Sequence, residues 1–221
     1  MIRGLIFDFD GLILETEGPV YQSWQELYAA YGSNLPFEQW AKIIGTHDLL
    51  FDAWAELERQ LGRPLNRAEL ETQRREREMA LICAQPPLPG VRDYLGDARR
   101  LGLKVAVASS SSRGWVSGHL RRLGLLDNFD VIRTREDVAR TKPAPELYLA
   151  ALEALGLSAQ EAVAFEDSPN GILAAKAAGI FCVAVPNALT SRLPLDHADL
   201  RLASLASLPL HTLLEQINGR L

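Results

Sequence analysis

Five short apolar runs separated by segments of helical length set the strongest limit on how this chain can fold. They lie at 3–9, Lys104–Ser109, Phe129–Ile132, Ala162–Glu166 and Phe181–Val185. Runs this short, without polar alternation, suit strands buried on both faces, as in a parallel sheet covered by helices. The later intervening segments carry helix punctuation: Pro89 and Gly102 around one, Pro145 and Gly156 around a second, Pro169 and Gly179 around a third. The alternation predicts an α/β fold with an open, doubly wound parallel sheet.

Residues 16–84 break the pattern. No comparable β run occurs there, and Val20, Trp24, Leu27, Tyr28 and Tyr31 recur at helical spacing. Further helices are expected over 37–44, 47–61 and 66–82, the last opened by Asn66 and Glu69 as a variant capping box. A strand-to-helix loop is far shorter than this. Residues 16–84 are therefore predicted to form a small α-helical domain, inserted into a core built from 1–15 and 85–221.

Composition narrows the partners. With 48% hydrophobic and 23% charged residues, the 221-residue chain is too apolar for intrinsic disorder. Its net charge of −5 provides no positive field to gather nucleic acid or anionic lipid. No run approaches the roughly 20 apolar residues of a membrane span, and the first segment meets an acid at Asp8 without a signal-peptide core. Cys83 and Cys182 sit among apolar neighbours without metal-ligand spacing, so both are expected as buried thiols in a reducing compartment. A cytoplasmic monomer acting on a small molecule, with neither nucleic acid nor membrane as partner, is the expectation.

The chemistry gathers where the runs end. Asp8 and Asp10 close the first run and Gly11 can turn the chain sharply away. Residues two apart on a strand face the same way, so both carboxylates project from the edge where such sheets bind ligands; taken alone, two solvated acids fit equally well. Glu166 and Asp167 close the fourth run, so four carboxylates can converge. Such like charges raise one another's pKa and oppose joint ionisation. A hard divalent cation resolves that conflict, and oxygen-only donors without histidine favour magnesium over zinc or copper. The spacing after Asp8 excludes an EF-hand, because the third acidic position and the terminal glutamate are missing. Ser109, followed by Ser110, ends the second run, where a hydroxyl and successive backbone amides can meet a phosphate. Lys142 lies in Thr141–Lys142–Pro143–Ala144–Pro145, whose prolines stiffen its approach. A turn serine and a surface lysine are the plainer readings of the last two.

Taken in order, Asp8–Phe9–Asp10–Gly11, Ser109, Lys142 and Glu166–Asp167, continued by Ser168–Pro169–Asn170–Gly171, resemble the four motifs of the haloacid dehalogenase superfamily of phosphotransferases. The β-phosphoglucomutase-like branch is the most similar, and the resemblance spans nearly the whole chain. It implies a Rossmann-like core with an inserted helical cap, and a magnesium-dependent phosphatase of small phosphomonoesters, with sugar phosphates foremost. By the same resemblance Asp8 is the nucleophile that forms an aspartyl phosphate, and Asp10 the acid and base. Magnesium would be held by Asp8, the Asp10 backbone carbonyl and Asp167, with Glu166 in support. Ser109, Ser110 and Lys142 would bind phosphate, and cap residues would select the substrate.

Departures from the pattern refine the expectation. Leu12 stands where the family usually has threonine, and Glu15 replaces a common aspartate. The presence of Asp10 argues against C–halogen cleavage. Val20 stands where β-phosphoglucomutase has a hinge histidine, which favours hydrolysis over the runner-up activity, a phosphosugar mutase. A receiver-like phospho-aspartate signalling module is the non-enzymatic alternative, disfavoured by Asp10 and by the size of the cap. Glu17, Thr46, His47 and Trp54 are candidate substrate contacts from the cap. His47 also suits a helix start, and Trp24 and Trp54 suit packing of the cap core. Arg113 is placed either to reach a phosphate or to open a solvated helix.

Overall fold

The computed structural model describes residues 1–41, 43 and 51–219. The chain packs as two compact units, Met1–Leu14 with Pro86–Leu221, and Glu15–Gln85. The expected joints at 15/16 and 84/85 thus fall at 14/15 and 85/86.

In the larger unit six strands form one parallel sheet: β1 (Gly4–Phe7), β2 (Lys104–Ala108), β3 (Val131–Arg133), β4 (Ala162–Glu166), β5 (Phe181–Ala184) and β6 (Leu200–Arg201). Their order is β3-β2-β1-β4-β5-β6. All five apolar runs became strands, and the sheet is the doubly wound α/β type expected. The two-residue β6 was not anticipated, being too short to leave a pattern. Helices α1 (Glu17–Ala30), α2 (Phe37–Trp40), α3 (Ala53–Leu61) and α4 (Arg67–Cys83) belong to the smaller unit. The larger unit contains α5 (Val91–Arg100), α6 (Arg113–Arg122), α7 (Glu146–Leu155), α8 (Pro169–Ala177) and α9 (Leu210–Asn218).

Both faces of the sheet are covered, which is why its strands read as continuous apolar runs rather than alternating ones. On one face Ile6, Ala106 and Ala164 pack with Leu147, Tyr148 and Ala151 of α7 and Ile172 of α8. On the other, Phe7 stacks on Phe165 at 4.8 Å and Tyr94 of α5 meets Phe165 edge-on at 5.6 Å. The Tyr94 hydroxyl donates to the Leu208 carbonyl at 2.7 Å, satisfying its polar end.

The smaller unit is built on aromatic packing. Trp24 of α1 lies 5.0 Å from Trp54 of α3 and 6.4 Å from Trp40 of α2. The buried Arg74 guanidinium sits 4.6 Å over the Trp24 ring and pairs with Glu71 and Glu78. Three local expectations need correction. Of the helix predicted over 47–61, residues 47–50 lie outside the described residues and 51–52 are not helical; α3 starts at Ala53, where Asp52 accepts from the amides of Trp54 (2.9 Å) and Ala55 (3.1 Å) and so caps it. Asn66 forms no capping box: its amide donates to the Glu69 carboxylate at 3.1 Å, and its side chain takes no backbone hydrogen bond. Cys83 is exposed rather than buried, whereas Cys182 is buried as expected. The buried residues of α4 are Arg74 and Ile82, eight positions apart along a narrow stripe that leaves the neighbour of Ile82 outside.

Candidate active site

Strand order reverses between β1 and β4, and at such a switch point an open α/β sheet has a crevice beyond its carboxyl ends. The register pairs Phe7 with both Val107 and Phe165, so the residues following these strands leave the sheet at one level. Asp8 extends β1 by one more ladder bond, its amide donating to the Phe165 carbonyl at 3.0 Å. Gly11 then adopts φ 79°. Glycine is required there twice over, because a Cβ would also overlap the Asp167 carboxylate.

Asp8, Glu166 and Asp167 are all buried, and each offers an oxygen within 4.8 Å of the others. Lys142 answers part of this charge: its Nζ donates to Asp8 Oδ1 and to Glu166 Oε1, both at 2.5 Å. The buried Tyr148 hydroxyl donates to the same Glu166 oxygen at 2.6 Å, and its ring centroid lies 5.3 Å from the ammonium. Asn187 braces Asp167, donating from Nδ2 to Asp167 Oδ2 at 2.8 Å and to the Gly11 carbonyl at 3.3 Å. Its own Oδ1 accepts from the amides of Leu189 and Thr190, both at 2.9 Å, in a local turn that fixes the side chain.

Asp10 belongs to a different set of contacts. Its Oδ1 accepts from the Trp115 indole at 2.8 Å, and its Oδ2 from Ser111 Oγ at 2.6 Å and Ser109 Oγ at 3.4 Å. The electrostatics differ accordingly. Burial is the largest influence on Asp8 and, with the charges of Glu166 and Asp10, outweighs the opposing pull of Lys142, so its carboxyl is pushed up to about 7. For Lys142 burial opposes the charge, yet two carboxylates overcome it and the ammonium is held. Burial and the Glu166 charge keep the Tyr148 hydroxyl protonated, hence a steady donor.

The fold thus gathers Asp8, Lys142, Glu166 and Asp167, and joins Asp10 to Ser109. Ser110 lies half-buried in the turn between β2 and α6. The Arg113 guanidinium is engaged elsewhere, paired with both Asp137 oxygens at 2.6 Å. Glu17 opens α1 in the smaller unit, and Trp54 packs on Trp24. Thr46 and His47 lie outside the described residues. Ser111, Trp115, Tyr148 and Asn187 were not singled out from the sequence. Asn187 alone left a usable signal, as a turn-forming asparagine just beyond an apolar run with Thr190 three residues on.

A doubly wound sheet with buried acids and one lysine at its switch point defines a class, and the family model described as haloacid dehalogenase-like hydrolase matches residues 2–179. The chain belongs to that family and is a phosphoric monoester hydrolase. Over 220 residues it is 49% identical to YhcW of Bacillus subtilis (strain 168), covering 100% of both chains. It is 31% identical over 217 residues to hexitol phosphatase B of Escherichia coli (strain K12), covering 96% and 97%. A crystal structure of a family hydrolase from Deinococcus radiodurans R1, with bound phosphate and sodium, superposes with a TM-score of 0.78 at 29% identity, covering 98% of this chain and 96% of that one.

Proposed function

We propose that this enzyme is a magnesium-dependent phosphatase of small sugar phosphates, working through an aspartyl phosphate on Asp8. The observation that carries the reading is the separation of two neighbouring carboxylates into different environments. Asp8 sits buried against Lys142 in the acidic group, and Asp10 is held apart by a serine hydroxyl and an indole. Two acids with unlike surroundings can take unlike roles. Asp8 attacks phosphorus and the bond to the leaving oxygen breaks, while Asp10 passes its proton to that oxygen. Asp10 then takes a proton from water, which attacks phosphorus and frees inorganic phosphate and Asp8. Lys142, the Ser109 hydroxyl and the amides of the turn at Ser110 neutralise the charge that spreads over the phosphoryl oxygens.

The donor set fits a hard divalent ion: three buried carboxylates face one ammonium, and all donors are oxygens. Asp8, Asp167 and the Asp10 carbonyl would hold magnesium, with Glu166 behind them, and the ion supplies further positive charge against the phosphoryl group. We assign the helical unit the part of a lid that selects the substrate and excludes water. The named activity of hexitol phosphatase B supports a polyol or sugar phosphate as substrate. A panel of phosphorylated sugars, polyols, nucleotides and glycolate, assayed with and without magnesium, tests the reading. Magnesium-dependent release of inorganic phosphate from a sugar phosphate is expected. Return of an isomeric phosphosugar, or an aspartyl phosphate that persists for hours, would overturn it.

A further inference from the structure

We propose that Trp115 is a positioning residue for proton transfer, fixing the plane and the working oxygen of the Asp10 carboxyl; this rests on the proposed role of Asp10 as acid and base. Trp115 stands in the first turn of α6, where Ser112 caps the helix by accepting from the Trp115 amide at 3.3 Å. That geometry aims the indole N–H at Asp10 Oδ1, 2.8 Å away. The ring is steadied from behind by an edge-on contact with the buried His119 imidazole at 4.4 Å, one turn further along the same helix. His119 in turn lies 6.4 Å from the Phe9 ring, beside Asp10 in the chain.

The chemistry of the partners makes the two oxygens unequal. An indole N–H only donates, so Oδ1 is held as an acceptor whatever else Asp10 does. Oδ2 faces the Ser111 hydroxyl at 2.6 Å and the Ser109 hydroxyl at 3.4 Å, and a hydroxyl can donate or accept. Oδ2 is therefore the oxygen from which a proton can pass to a leaving group and to which it can return. Because Ser109 also belongs to the phosphate-facing turn, the arrangement turns Oδ2 toward the place where the leaving oxygen departs. Trp115 touches none of the reacting atoms; it acts through Asp10.

A positioning role for the acid predicts dependence on the leaving group. Loss of an alkoxide needs a proton, whereas p-nitrophenolate leaves without one. Values of kcat/KM, which report the steps through departure of the leaving group, are measured for Trp115→Phe and Ser111→Ala against wild type. The substrates are p-nitrophenyl phosphate and whichever alkyl phosphate of the panel the wild type hydrolyses best. For Trp115→Phe the expected loss is about 10- to 100-fold on the alkyl phosphate, part of the roughly 10²- to 10⁴-fold worth of general acid catalysis, and under about 3-fold on p-nitrophenyl phosphate. Ser111→Ala, which removes only the hydroxyl on Oδ2, is expected to show the same selectivity and checks that Asp10 is the acid; if Trp115→Phe melts early, its two kcat/KM values are compared at a temperature below its own Tm. Equal losses on both substrates, or none on either, overturn the role of Trp115 while leaving the phosphatase reading intact. Failure of the wild type to release phosphate from both overturns the two together.

Discussion

Gly171→Ala sets two physical effects against each other. Gly171 lies in the first turn of α8, its amide donating to the capping Ser168 hydroxyl at 3.1 Å. By helix propensity alone alanine should stabilise that turn by about 1 kcal/mol. However, a Cβ at this position would overlap all three atoms of the Glu166 carboxyl group. Glu166 is 0% exposed and is fixed by Lys142 at 2.5 Å and Tyr148 at 2.6 Å, so it has nowhere to retreat. Displacing it loses at least one hydrogen bond to a charged group, worth about 1.5–3 kcal/mol, and forces repacking at about 1–3 kcal/mol. After the propensity gain is subtracted, the net loss is about 1.5–5 kcal/mol. In a chain of 221 residues each kcal/mol moves Tm by roughly 2–4 °C, so a fall of roughly 3–20 °C is expected by thermal denaturation. Gly118→Ala, in α6 where an added Cβ meets nothing within 4 Å, isolates the propensity effect and should raise stability by about 0.5–1 kcal/mol. A Gly171→Ala protein as stable as wild type would show that the helix terminus does not hold the Glu166 carboxylate as described.

Asp8→Asn should lower turnover by about 10⁴-fold or more, the scale seen when a covalent nucleophile is removed, and no phosphate should remain on the protein after acid quenching of a labelled reaction. Asp167→Ala should weaken magnesium binding about 10-fold or more in calorimetry, and Asn187→Ala should weaken it less, since Asn187 only braces the ligand. Titration of the metal-free protein offers a further check. With Asp8 raised from 3.8 to about 7 by burial and neighbouring acids, its stabilising contribution is whole below pH 4 and is lost as pH rises toward 7, because the unfolded chain ionises first. Metal-free Asp8→Asn should lack that decline, seen as a smaller fall in Tm than wild type between pH 5 and 8.

The sheet was legible in the sequence because strands buried on both faces leave unbroken apolar runs, as in Ala162–Glu166, where every residue is buried. β6 was not, since two residues at a sheet edge carry no periodicity. Asp8, Asp10, Glu166 and Asp167 could be picked out because titratable groups at strand ends stand against an apolar background, whereas Lys142, in the loop before α7, stood out only through its place among the four ordered motifs. Their supports could not. Tyr148 reads as one more apolar residue of α7, and only tertiary packing turns its hydroxyl onto Glu166. Trp115 likewise looks like a core aromatic until the register of β1 and β2 sets α6 beside Asp10. The start of α3 was misread for a related reason: a cap depends on which side chain reaches the free amides, and Asp52 does so through geometry that spacing does not record.

Two of the residues hidden from sequence reasoning, Tyr148 and Asn187, share one physical task. Asp8, Glu166 and Asp167 repel one another, and a single ammonium cannot neutralise three buried carboxylates, so the group would splay or take up protons unless each member were tied down. Tyr148 and Lys142 fasten Glu166, Asn187 fastens Asp167, and Lys142 with the β4 ladder fastens Asp8. Two glycines complete the arrangement by omission, Gly11 beside Asp167 and Gly171 beside Glu166, each leaving room that a methyl group would occupy. Preorganisation of this kind holds acidic oxygens close enough for one hard cation before it arrives, which raises the affinity for the ion at the expense of the metal-free fold. It follows that magnesium should raise the Tm of wild type markedly, and should raise that of Asp167→Ala far less although the variant's own metal-free Tm is no lower. Equal stabilisation of both proteins by the ion would mean that the acidic rim is not where it binds.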